Sequence, residues 1–168
     1  MEFTRNADIK RLHFIIDNIR KHAGGKATVL DVGCGNGVIS RSVGAEGFEV
    51  FGIDISDKAI EKAKQLNTLS NVSFEVKSAE QLVAEGKKYK AVICSEVLEH
   101  LNEPSKLLKV LYQSIADDGI LIVTVPNGQG PREVMVTKPV IALQKKNNFT
   151  WKIIQKTKKA MGYSGTTA

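Results

Sequence analysis

The segment Asp31-Val32-Gly33-Cys34-Gly35-Asn36-Gly37 sets an acid before three glycines at alternate positions. Glycines at that density let a backbone turn sharply and approach a ligand with no Cβ in the way. When such a loop feeds a helix N-terminus it makes an anion site, which dinucleotide-binding loops use with the spacing G-x-G-x-x-G. Here the third glycine falls one position early and Asp31 precedes the first, which suits a cationic ligand better than a diphosphate. A plain strand-to-helix turn is the competing reading. Asp54 follows Gly37 by 17 positions, close to the roughly 20-residue offset at which an acid takes ribose hydroxyls. A carboxylate can accept from both hydroxyls at once; the alternative is a solvated Asp that caps a helix.

Two further clusters carry chemistry. Ser78-Ala79-Glu80 reads as a polar turn on the same side as the glycine loop, or as a plain loop. Cys94-Ser95-Glu96-Val97-Leu98-Glu99-His100 holds two carboxylates and an imidazole, which one helical turn would gather on a shared face. His100 as a general base, a hard divalent metal held by Glu96, Glu99 and His100, and a set of packing residues on a pocket floor are all compatible with that spacing. No Ser/His/Asp nucleophile signature is present.

These clusters need elements to position them, and the apolar pattern supplies those. Ile9, Leu12, Ile15 or Ile16, and Ile19 form a helical stripe that Gly24-Gly25 ends. Ala27 to Val32 reads as a first strand, Val38 to Ala45 as a helix, and Phe48 to Ile53 as a second strand ending at Asp54. Ser56 suits the N-cap of a helix with Ala59, Ile60, Ala63 and Leu66 on its apolar face. Val72 to Val76 and Tyr89 to Cys94 read as third and fourth strands. Pro104 opens a helix with Leu107, Leu108, Leu111 and Ile115 on one face and Gly119 as its stop, and Ile120 to Val125 is a fifth strand. Such alternation predicts a doubly wound α/β fold with a parallel sheet. In that fold ligands bind at the carboxyl ends of the strands, where strand order reverses, and every cluster above falls at one of those ends.

Composition narrows the class. The 168-residue chain is 42% hydrophobic and 25% charged, as a globular protein is. It has no apolar run near the roughly 20 residues of a membrane helix and no secretory h-region near Met1. Two cysteines, Cys34 and Cys94, give neither a disulfide framework nor zinc spacing, so a cytoplasmic location is expected. The net charge of +6 sits in the tail. From Pro131 onward Arg132, Lys138, Lys145, Lys146, Lys152, Lys156, Lys158 and Lys159 stand against Glu133 alone. The expected organisation is therefore a ligand-binding domain over 1–130 and a basic, partly helical tail over 131–168. The tail is read as a solvated helix face or as a contact with nucleic acid or an anionic membrane. The solvated face is the commoner case for a Lys-rich stretch, and Trp151, Ile153 and Ile154 among the lysines are compatible with an amphipathic surface helix in weak contact with an anionic membrane.

Asp31-Val-Gly-Cys-Gly-Asn-Gly37, Gly52-Ile-Asp54-Ile-Ser, Ala79-Glu80-Gln-Leu, Glu96-Val-Leu-Glu-His100 and Asp118-Gly-Ile-Leu-Ile-Val-Thr-Val-Pro-Asn127 occur in one order. In that order the chain resembles the class I S-adenosylmethionine-dependent methyltransferases over about residues 27 to 128. The Cys-x-Glu-x-Leu-Glu-His stretch is similar to the ubiquinone-biosynthesis O-methyltransferases among them. The resemblance implies a Rossmann-like fold, S-adenosyl-L-methionine as cofactor, and methyl transfer to an O, N or C nucleophile of a small-molecule acceptor. It implies that Asp31 and the loop Gly33, Cys34, Gly35, Asn36 and Gly37 hold the methionine part. Asp54, with Ile55 beside it, would hold the ribose. Ser78, Ala79 and Glu80 would approach the adenine, and Ser95 and Glu96 would lie under the sulfonium. His100 is the catalytic candidate. In some relatives the residues matching Glu96, Glu99 and His100 bind a divalent cation; no metal is assigned here.

Two departures stand out. Ser78 replaces an Asp frequent in the family, and the last two strands of the fold cannot be found after Asn127. The fifth strand is then an expected open edge, and 131–168 is either a truncated remainder of the domain or a natural short form. Two rival readings remain. A nucleotide-binding oxidoreductase would bind NAD. A catalytically incomplete fragment or binding protein would bind the cofactor without transferring its methyl. Nucleic acid as a substrate is disfavoured, since no Asn-Pro-Pro-Tyr-like motif of amino-group DNA methyltransferases is present.

Overall fold

A computed structural model describes residues 6–126 of the chain, all within one compact unit, Met1–Pro126. The elements run α1 (Asn6–Ala23), β1 (Thr28–Val32), α2 (Val38–Ala45), β2 (Glu49–Asp54), α3 (Asp57–Leu66), β3 (Val72–Val76), α4 (Ala79–Ala84), β4 (Tyr89–Ser95), a 3-10 turn at Leu98–His100, α5 (Pro104–Gln113) and β5 (Ile115–Thr124). The five strands lie in the order β3-β2-β1-β4-β5, every pair parallel. Strand order reverses between β1 and β4, so the crevice for a ligand lies beyond the carboxyl ends of those two strands.

The sheet is covered on both faces, and the strand alternation shows how. Val29, Ala91 and Ile93 pack with Ile15, Ile16 and Ile19 of α1, Val43 of α2, and Ile60 and Ala63 of α3. Their sequence neighbours Leu30, Val92 and Cys94 turn to the opposite face and meet Leu82 of α4 and Leu111 of α5. Each helix buries one stripe and leaves its other side in water. Most of β1 and β4 is buried, which gives the loops above them a rigid base.

The expected elements appear with shifts at their ends. Ser56 does cap α3, its side chain accepting the Ala59 N–H, and Pro104 does sit in the first turn of α5. Three expectations change. Ile115 is not the last apolar residue of α5. The helix ends at Gln113, and the Tyr89 N–H takes the carbonyl of Ser114 at 2.9 Å, which draws Ile115 into β5 opposite Tyr89. Gly119 is not a helix stop either. It lies inside β5 near a register shift between β4 and β5, where an added Cβ would come within 2.9 Å of the Tyr89 carbonyl oxygen. Ser78-Ala79-Glu80 is not a turn but the cap and first turn of α4. Ser78 accepts the Gln81 N–H and the Gln81 side chain accepts the Ser78 N–H, a complete capping box. The readings of the partly helical basic tail over 131–168 and of the missing last strands lie outside the described residues.

Candidate functional site

The glycine loop leaves β1 and is sewn to β2. Gly33 and Cys34 both donate their N–H groups to the Ile53 carbonyl, at 2.8 and 3.0 Å, and the Gly37 N–H returns to the Cys34 carbonyl at 2.9 Å. Gly33, Gly35 and Gly37 have φ of 72°, 55° and 76°, values that disfavour any residue with a Cβ. Their surroundings differ. A Cβ on Gly37 would lie 2.5 Å from the Phe74 ring, and one on Gly33 would lie 2.5 Å from Val97. Around Gly35 there is nothing within 4 Å. Gly37 and Gly33 thus permit packing, while the backbone at Gly35 is open to an approaching group.

Two carboxylates brace this loop. Asp54 accepts the Gly35 N–H on Oδ2 and the Ser56 N–H on Oδ1, both at 2.9 Å. Asp31 is 1% exposed and accepts the Ser40 hydroxyl at 2.5 Å. Burial pushes its carboxyl up to about 6; the Ser40 bond opposes that rise and the nearby Asp54 charge adds to it. Burial, with Asp31 and Asp54 nearby, also pushes the Cys34 thiol well above its usual range. Burial pushes the Cys94 thiol to about 12, helped by Asp31 and Glu99. Neither thiol supplies a thiolate near neutral pH.

A cavity of about 650 Å³ opens beside these groups, within the size range of small-molecule sites. From the candidate set it gathers Gly33, Asp54, Ile55, Ser78, Ala79, Glu80, Glu96 and His100. Ile55 is 80% exposed, an apolar side chain at the cavity wall. Asp31, Cys34, Gly35, Asn36, Gly37 and Ser95 are not among its lining residues. Asp31 and Cys34 are buried. Asn36 offers its carbonyl to Arg41 at 2.6 Å, and Ser95 shares a hydroxyl–hydroxyl bond of 2.8 Å with Thr124.

The turn after β4 completes the wall. Glu96 has a φ of 58°, the one positive value among described non-glycine residues. Its N–H donates to the Thr124 carbonyl at 2.9 Å. The His100 side chain is 76% exposed, with Nε2 3.9 Å from Glu99 Oε1. Among the described residues no three His, Cys, Asp or Glu side chains converge as a metal site.

Several residues of the site escaped the sequence reading. Val97, Leu101, Lys106 and Leu107 line the cavity, and Ser40 holds Asp31. Arg11 of α1 lies 3.5 Å from Glu96 and also bonds Asp8. The Asp8–Arg11 spacing is visible in the sequence as a helical i,i+3 pair, but nothing in it points to Glu96.

Known proteins are similar to this chain in sequence and in fold. The ubiquinone biosynthesis O-methyltransferase of Nitrosomonas europaea is 36% identical over 123 residues, covering 68% of this chain and 52% of that protein. Its counterpart in Nitrosospira multiformis is 42% identical over 108 residues, covering 59% and 45%. The chain thus spans about half the length of the curated relatives it matches. Among solved structures, a protein from Listeria monocytogenes assigned as an S-adenosylmethionine-dependent methyltransferase superposes with a TM-score of 0.57 at 27% identity, over 70% of this chain and 55% of that one. The plantazolicin methyltransferase BpumL, in complex with SAH, shares the fold with a TM-score of 0.62 at 20% identity, over 75% and 49%. The model of the methyltransferase domain family matches residues 5–153, and the chain belongs to that family.

Proposed function

We propose that the chain binds S-adenosylmethionine in the 650 Å³ cavity and transfers its methyl group to an O, N or C nucleophile of a small-molecule acceptor. The observation that carries this reading is the union of Gly33, Asp54, Ile55, Glu80 and Glu96 around one cavity at the switch point of the sheet. The relatives' names, as ubiquinone biosynthesis O-methyltransferases, support it.

The donor set fits the cofactor. Asp54 spends one lone pair of each oxygen on Gly35 and Ser56, which leaves acceptor capacity for two ribose hydroxyls. Ile55 offers an apolar surface to a purine. Glu96 puts negative charge on the wall that a sulfonium would face, and Glu80 lines the part of the wall assigned to the adenine. Asp31 acts by shaping the loop through Ser40. When bound, the cofactor supplies an electrophilic methyl for direct displacement. The chain's part is to orient the reactants and provide the field. His100, exposed at the cavity wall, takes the proton of the acceptor. No covalent intermediate is required.

The finer assignments belong to the same reading. We place the chain in the cytoplasm because both cysteines are free and buried, and no described helix is long and apolar enough to cross a membrane. The domain is read as residues 1–130 and the basic segment 131–168 as a contact for anionic membrane. Transfer of labelled methyl to a panel of phenol, amine and carbon acids tests the activity. Cofactor binding without transfer to any of them would return the chain to the binding-protein reading.

A further inference from the structure

Glu96 holds an unfavourable backbone conformation at the cavity wall. A left-handed φ on a non-glycine residue persists only where the surroundings over-determine it. Three contacts do so here. The Glu96 N–H is bonded to Thr124 at 2.9 Å. The next residue, Val97, packs so closely on Gly33 that a Cβ there would come within 2.5 Å. The Glu96 carboxylate pairs with Arg11 at 3.5 Å.

That third contact comes from a different part of the fold. Arg11 lies on α1, which is anchored through Ile15 and Ile19, both 0% exposed. Asp8, one turn earlier, bonds the Arg11 guanidinium and fixes its direction. The Asp8, Arg11 and Glu96 side chains are only 25%, 23% and 30% exposed, so water screens the triad incompletely. Arg11 itself is not among the cavity-lining residues, whereas Glu96 is.

We infer that Arg11 is a positioning residue for the cofactor site, acting through Glu96, so that α1 and the strained turn after β4 work as one unit. This rests on the cofactor reading above. Without the guanidinium the carboxylate loses its fixed direction and the turn loses one of the contacts that hold it strained.

The test is a double-mutant cycle on S-adenosylhomocysteine affinity, by calorimetry on the full chain, with Arg11→Gln, Glu96→Gln and the pair. Each single variant is expected to weaken binding about fivefold, and the double variant no more than the worse single. Arg11→Lys, which keeps the charge, is expected to stay near wild type. Asp8→Asn, remote from the cavity, is expected to give a smaller loss in the same direction. Additive losses in the double variant would overturn the inference, because Arg11 would then act on the ligand by itself. So would unchanged affinity in Arg11→Gln. If that variant fails to fold, a loss in Arg11→Lys with no effect of Asp8→Asn overturns it. Absence of binding by the wild-type chain would overturn the cofactor reading first, and this inference with it.

Discussion

Asp54 accepts the backbone N–H of Gly35 at 2.9 Å, and that bond ties the end of β2 to the loop after β1. It makes Asp54 a brace as well as a candidate ligand. Asp54→Asn keeps the shape but replaces one acceptor oxygen by an amide. It should lower unfolding free energy by about 1–2 kcal/mol, measured by urea titration. An unchanged stability would show that the loop is braced elsewhere.

Gly37 and Gly35 share a positive φ but not an environment. Gly37→Ala must displace the Phe74 ring, whose nearest atom would be 2.5 Å away, and should cost about 3 kcal/mol. Gly35→Ala meets nothing within 4 Å and should cost only the backbone strain, about 1 kcal/mol. Chemical unfolding of the two variants ranks them. The reverse order would contradict the packing described for Phe74.

Asp31 makes stability depend on pH in an unusual direction. Its folded value of about 6 lies above the unfolded 3.8, so between these values the folded state holds the proton and the unfolded state does not. Its contribution is therefore fully present below the unfolded value and is lost as pH rises through about 6. The loss amounts to roughly 3 kcal/mol. Asp31→Asn removes this titration. Unfolding curves from pH 4 to 7 should show wild type losing stability relative to the variant across that window. A constant difference would mean that Asp31 titrates normally.

His100 is exposed at the cavity wall. As proton acceptor, His100→Gln should lower kcat about 100-fold while cofactor affinity stays within about twofold. A matched loss of affinity would make it a binding residue instead.

Much of this arrangement is legible in the sequence because it is local. The bounds of α2, Val38–Ala45, and of β3, Val72–Val76, follow from glycines and apolar spacing alone. The cap at Ser56 follows from one hydroxyl before an apolar stripe. The capping box at Ser78 and Gln81 was equally local, but a short polar run is easily taken for a turn. Ile115 deceived for the opposite reason. It extends the stripe of Leu107, Leu108 and Leu111, and only the bond between Tyr89 and Ser114 across the sheet assigns it to β5. The pairing of Arg11 with Glu96, and of Asp31 with a buried Ser40, belongs to tertiary packing. No periodicity encodes either.

The basic residues after Pro131 yield a separate expectation. Vesicles containing anionic lipid should sediment the full chain at low salt and release it as salt screens the charge. Neutral vesicles should not. Binding equal on both, or none on either, would remove the membrane contact from the proposed function.

Calorimetric titration of the full chain with S-adenosylhomocysteine, beside its Asp54→Ala variant, tests the central claim most directly. The account predicts micromolar binding by the wild-type chain and loss of about 100-fold or more in the variant. A wild-type chain that releases no heat of binding, or a variant that binds as well, would contradict it.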